Sequence, residues 1–203
     1  MHILFKSKNL NSSYSIENTM QKEGVEGDNS ELKISDEYRK LVESADKFSQ
    51  DFFIDNSTVE HAKFLTLKLI NRAKNFIRIF TNNLSEVYYS NHIILEALKE
   101  KLNKNTKVEI ITRNKSESKE FVELQKLYKN NLTLYTLKDK AYGENHFLLV
   151  DDASFRIELP HSKKDTAISD FKVDAKVNFY NEEIGGLLRG LFEDLKSQST
   201  PQN

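Results

Sequence analysis

The chain contains no cysteine. Disulfides, thiolate catalysis and cysteine-based zinc sites are therefore excluded. It also lacks an excess of charge of either sign. Its 30 basic and 31 acidic residues leave a formal net charge of -1. Whole-chain charge thus gives no support to tight binding of nucleic acid or an anionic membrane, although a local basic patch stays open. Long apolar runs are missing as well: no stretch approaches the roughly 18 apolar residues that span a bilayer. Met1 to Lys6 is too short for a signal-peptide core and has no small-residue cleavage site. A cytoplasmic location is the expectation from these absences.

What is present divides the 203 residues unevenly. Hydrophobic residues make up 38% and charged residues 30%, which is more polar than a compact domain usually is. Part of that excess sits in residues 7–34, rich in Ser, Asn, Lys, Glu and Gly. Such a stretch buries too little surface to offset its ordering entropy. Residues 1–34 are expected to form a flexible arm, with engagement of a protein partner through residues 7–34 as its functional alternative. Residues 35–56 read as an accessory helix and linker, starting at Ser35-Asp36-Glu37 with Tyr38, Leu41, Val42 and Phe48 as a short stripe. Residues 57–196 read as the main domain and 197–203 as a frayed tail.

Within 57–196 the apolar period alternates between that of helices and that of strands. Ser57-Thr58-Val59-Glu60 has the form of a capping box. Val59, Ala62, Leu65, Leu69, Ile70 and Ala73 follow at helical spacing, and Phe76 to Phe80 is a strand. Ile93 to Leu102 marks a helix, Val108 to Ile111 a strand, Phe121 to Tyr128 a helix and Leu132 to Leu137 a strand. Ala175 to Tyr180 is a last strand. Asn181 caps a closing helix with the stripe Ile184, Leu187, Leu188, Leu191, Phe192 and Leu195. Gly185, Gly186 and Gly190 weaken that helix by about 1 kcal/mol each relative to Ala, and their use is expected to be close packing. The alternation predicts an α/β domain with a largely parallel sheet.

Between these elements lies Gly143 to Glu158, which reads as a β-hairpin. Phe147 to Val150 is a continuous apolar run, as in a strand buried on both faces. Asp151 to Ser154 is a polar turn, and Phe155-Arg156-Ile157-Glu158 alternates as a returning strand does. Glu144 and His146 are two apart and share one strand face. Arg156 and Glu158 share a face of the next strand and are expected to pair with Glu144 and His146 across the hairpin. A structural ion-pair network and a site are both readings of that cluster.

This order of elements, over about residues 57–196, resembles one half of the phospholipase D superfamily. Ile70 to Phe80 looks like the family's first helix entering its first strand. Phe147-Leu148-Leu149-Val150-Asp151-Asp152 looks like the strand and turn of its His-x-Lys-x-x-x-x-Asp motif, and Ala175 to Leu195 is similar to its closing strand and helix. The resemblance implies an α/β fold with a central, mostly parallel or mixed sheet flanked by helices, phosphodiester transfer through a phosphohistidine, and two motif-bearing halves meeting about a twofold axis. Since this chain holds one half, a homodimer is expected.

The motif itself departs from the family's. With Asp151 as anchor, the nucleophilic His falls on Glu144 and the Lys on His146, and Phe155 to His161 replaces the usual Gly-Ser and Asn. A slip making His146 the nucleophile puts Leu148 and Ala153 at the Lys and Asp positions, which fits worse. A carboxylate at Glu144 repels phosphate, and an unperturbed His is mostly neutral at pH 7. The leading expectation is a catalytically degenerate binding or assembly module, acting on a nucleic acid or another phosphodiester-containing partner. The alternatives are a phosphodiesterase or nuclease using His146 with other partners, and a structural subunit engaged through the arm. The candidate pocket is Glu144, His146, Asp151, Arg156 and Glu158. Lys163, Lys164 and Lys172 are candidate polyanion contacts. His146, Asp151, Glu158 and His161 include metal-ligand types, but without a metal-binding spacing, so neither a metal nor any other cofactor is expected.

Overall fold

A computed structural model describes residues 32–84, 88–115, 118–138, 145–158 and 174–202. Residues 1–31, Glu144, His161, Lys163, Lys164 and Lys172, for which the sequence raises expectations, lie outside the described residues.

The alternating apolar periods produce the centre of the fold. Strand β2 (Phe76–Thr81) leads through helix α3 (His92–Asn103) to β3 (Lys107–Thr112), and β3 leads through α4 (Lys119–Leu127) to β4 (Leu132–Leu137). The three strands are parallel, with Ile79 level with Ile110 and Ile110 level with Leu134. The hairpin of β5 (His146–Val150) and β6 (Ser154–Glu158) lies antiparallel against the free side of β2. Beyond it come β7 (Ala175–Asn178) and an edge strand β1 (Ile54–Asn56), and beyond β4 comes a second edge strand β8 (Ser199–Pro201). The sheet order is β1-β7-β6-β5-β2-β3-β4-β8.

Period-two alternation sends side chains to two cores. On one face Ile77, Ile79, Val108, Ile110, Leu134, Leu148 and Val150 pack against α1 (Asp36–Phe48), α2 (Val59–Arg72), α3 and α4. On the other, Phe80, Ile111, Phe147, Leu149, Phe155 and Ile157 receive Leu188, Phe192 and Leu195 of α5 (Glu182–Ser197). The expected run Phe147 to Val150 is buried on both faces for this reason.

Some local expectations shift. The N-cap of α2 is Thr58, accepting from the His61 N–H, and Glu60 instead pairs with Lys63. Residues 54–56 and 199–201, read as linker and frayed tail, pair into the sheet. Strand β6 does not alternate between core and solvent: Ser154 to Ile157 are all buried, because β7 and β1 continue the sheet past it. Leu32 and Ile34 pack against the first core, as does α1 through fully buried Val42 and Ala45. Arg72 bolts α1 down by donating to the Asp46 carbonyl and carboxylate, Ser49 Oγ and Ser154 Oγ.

Of the three helix glycines, only Gly185 meets a close neighbour. A Cβ there would lie 1.9 Å from the Asp152 carbonyl oxygen, whereas Gly186 and Gly190 face open space. Among the described residues no helix is long and apolar enough to cross a membrane.

Candidate functional site at the strand carboxyl ends

In open α/β sheets, ligands bind outside the carboxyl ends of the parallel strands. Here that edge carries Thr81 and Thr112, the start of β5 at His146, and the end of β6 at Glu158. The antiparallel register sets His146 directly opposite Glu158 and Leu148 opposite Arg156. His146, Arg156 and Glu158 therefore share one face, as directly opposed residues must.

Arg156 is the largest of the fully buried side chains, at 2% exposure. Its Nη1 donates to Glu158 Oε2 at 2.9 Å and its Nε to Asn56 Oδ1 at 3.0 Å. Asn56 is fixed in turn, its Nδ2 donating to the Thr58 carbonyl at the start of α2. The guanidinium carbon lies 5.4 Å from the centre of the Tyr88 ring, a cation–π contact. Tyr88 shares a short hydrogen bond with Thr66 Oγ1 and donates to the Ala62 carbonyl. Burial pushes the phenols of Tyr88 and Tyr89 upward. Burial also works against the Arg156 charge, but Tyr88, Glu158 and Tyr89 together hold it above its ordinary value.

At the mouth of this network His146 meets the Phe80 ring edge-on, at 6.3 Å between centres. Arg113, just past the end of β3, places its guanidinium carbon 5.6 Å from the same ring centre. Lys115 and Lys138, in the connections that leave β3 and β4 at this edge, are exposed.

The structure thus brings His146, Arg156 and Glu158 together and separates Asp151 from them. Asp151 lies at the other end of β5, roughly 16 Å from His146 at the usual strand rise. There its carboxylate accepts the backbone N–H groups of Lys74, Asn75 and Phe76 at 2.7 to 2.9 Å. Asp151 and Asp152 both have positive φ, so Asp151 is the clasp between the hairpin turn and the start of β2. The Arg156 guanidinium turns toward Asn56 and Tyr88 of its own chain. Asn56, Tyr88 and Arg113 were not singled out from sequence. Arg113 had a signal, its place immediately after a buried parallel strand. Asn56 and Tyr88 had none, since only folding brings them to Arg156. Among the described residues no three His, Asp or Glu side chains are placed to hold a metal.

No family model and no curated protein sequence matches the chain. Solved structures do. Nuc from Salmonella typhimurium, a phospholipase D family member, superposes with a TM-score of 0.57 at 15% identity over 76% of this chain and 99% of Nuc. NucT from Helicobacter pylori gives 0.52 at 16% identity over 73% of this chain and 99% of its own. TrmBL2, an archaeal chromatin protein described with a novel mode of DNA binding, gives 0.55 at 12% identity over 80% of this chain and 60% of its own. By these superpositions this chain has the phospholipase D-like fold.

Proposed function

We propose that this chain is a catalytically silent phospholipase D-like module that binds a phosphodiester-containing polyanion, a nucleic acid in the first instance, at the carboxyl edge of its sheet. The observation that carries the silence is the commitment of Arg156. The buried guanidinium beside His146 is engaged by Glu158, Asn56 and Tyr88, whereas phosphoryl chemistry calls for a cation free to hold the transferring group. The motif position of Glu144 points the same way. Binding is supported by Arg113, Lys115 and Lys138 at the ends of β3 and β4, a local basic stretch that net charge conceals. The fold is shared with Nuc, a phospholipase D family member, with NucT, and with a chromatin protein whose description reports DNA binding. Self-association belongs to the same proposal, on a face other than that of Arg156.

The test has two arms. Generic phosphodiesters, DNA, RNA and phosphatidylcholine should give no turnover above background. Turnover abolished by His146→Ala would replace this reading with an enzyme. Fluorescence anisotropy should detect binding of a short DNA. If the three cations each meet a phosphate, affinity should fall about 40-fold between 50 and 200 mM salt. The double variant K115E/K138E should abolish most of that dependence. No binding at low salt would reject the polyanion reading in favour of a structural subunit. Sedimentation at micromolar concentration should show a dimer, and a monomer there rejects self-association.

A further inference from the structure

The Arg156–Glu158 pair differs from the other buried or half-buried arginine pairs in what it connects. Arg72 joins α2 to Asp46 of α1, and Arg78 joins β2 to Asp152 in the hairpin turn and Glu193 of α5. Each ties together segments far apart in the chain. Arg156 and Glu158 are two residues apart on one strand, so their ion pair fastens no two elements. Burying an ion pair offers little stability over an apolar replacement of the same size. The pair therefore needs another explanation.

Arg156 is held by groups other than Glu158. Asn56 holds Nε, and the Tyr88 ring flanks the guanidinium, itself tied to α2 through the Tyr88 hydroxyl. The guanidinium is thus a preorganised fork with Nη1 directed at an oxygen. Glu158, in contrast, reaches the surface. Its side chain is 16% exposed against 2% for Arg156, and it stands opposite His146 at the site mouth. A carboxylate oxygen in such a fork occupies the place that a phosphate oxygen takes in arginine–phosphate pairs.

We propose that Arg156, held in place by Asn56, forms the floor of an oxyanion-binding subsite that the chain's own Glu158 carboxylate fills, making Glu158 the residue that keeps phosphate off the floor. The inference rests on the polyanion reading of this edge, and it divides that edge into two parts. A polyanion contacts the rim cations Arg113, Lys115 and Lys138. The floor is neutral as a unit, because Glu158 offsets Arg156, and a phosphate group gains nothing there unless the carboxylate is removed.

Glu158→Gln tests this, with inorganic phosphate from 0.1 to 10 mM at constant ionic strength as the probe. The substitution keeps the side-chain shape and leaves the Arg156 charge uncompensated. Its melting temperature should fall by about 6 to 20 °C. Phosphate should then restore it in a saturable manner, because a ligand that binds only the folded state stabilises it. The wild-type chain should be indifferent over this range. The double variant R156M/E158Q should be indifferent too, which sets aside general salt effects. If E158Q is unfolded without anion, refolding on adding phosphate is the same result. A melting temperature that ignores phosphate, or a chain unfolded at every phosphate concentration, overturns the inference. Wild-type DNA binding reports separately: its loss would sink the polyanion reading and leave the phosphate response of E158Q standing.

Discussion

Gly185 offers a sharp test of the packing between hairpin and closing helix, because its neighbour Gly186 is a built-in control. A Cβ added at Gly185 would stand 1.9 Å from the Asp152 carbonyl oxygen, 2.6 Å from its carbon and 3.0 Å from Ala153 Cα. All three are backbone atoms of a turn that cannot easily retreat. Asp151 clasps that turn to β2 through three N–H groups, and the Ala153 carbonyl accepts from the Asn181 N–H at 2.8 Å. The helix must move instead, dislodging Leu188 and Phe192 from the second core. Overpacking of this kind costs about 3 kcal/mol at the upper end of its usual range. Replacing a helical Gly by Ala returns about 1 kcal/mol. The net expectation for G185A is a loss of about 2 kcal/mol, or roughly 4 to 8 °C in Tm for a chain of this size. G186A meets nothing within 4 Å and should gain about 1 kcal/mol from propensity alone. Urea denaturation of the two variants, with unchanged m-values, measures both. Equal effects, or a stabilised G185A, would refute the close approach of α5 to the hairpin turn.

Asp151→Ala should cost about 2 to 4 kcal/mol, since it strands three N–H groups bound to a carboxylate and puts Ala at positive φ; Asp151→Asn, which keeps an acceptor and tolerates that φ, should cost less in the same denaturation assay. Arg72→Ala removes the bonds to Asp46, Ser49 and Ser154, and hydrogen exchange should show α1 amides opening before the rest of the chain. His61 stacks on Tyr38 at 3.9 Å, and burial holds its imidazole below its ordinary pKa, with Glu60 pulling the other way. The unfolded chain then takes up the proton more readily, so the contribution of His61 is present above about pH 6.5 and is lost as pH falls through the folded value. His61→Phe should keep the stack and flatten that part of the stability–pH curve between pH 7 and 5; an unchanged curve would refute the assignment.

The order of strands and helices was legible in the sequence because each is written locally. Helical spacing in Val59 to Ala73, the double-sided run Phe147 to Val150 and the Asn181 cap need no distant partner, and the order of these elements resembles a known fold. Other features were legible only in kind. Asp151 was visible as a turn residue, but its three N–H partners lie 75 to 77 positions away. Three glycine candidates for close packing in one helix look alike in sequence, and only the approach of a distant backbone singles out Gly185. The short edge strands β1 and β8 are too brief to show a period, and they exist because β7 and β4 offer unpaired backbone edges. The candidate site divides in the same way. That Arg156 and Glu158 share one strand face across the hairpin from His146 follows from period-two geometry and could be read directly. That Arg156 is buried, that Asn56 and Tyr88 hold it, and that Arg113 and His146 both meet the Phe80 ring could not. Burial depends on which strands continue the sheet, and those contacts join residues up to 100 positions apart. Chain-local pattern determines which elements form, whereas the environment of a charge is set by whatever the assembled sheet and helices bring around it.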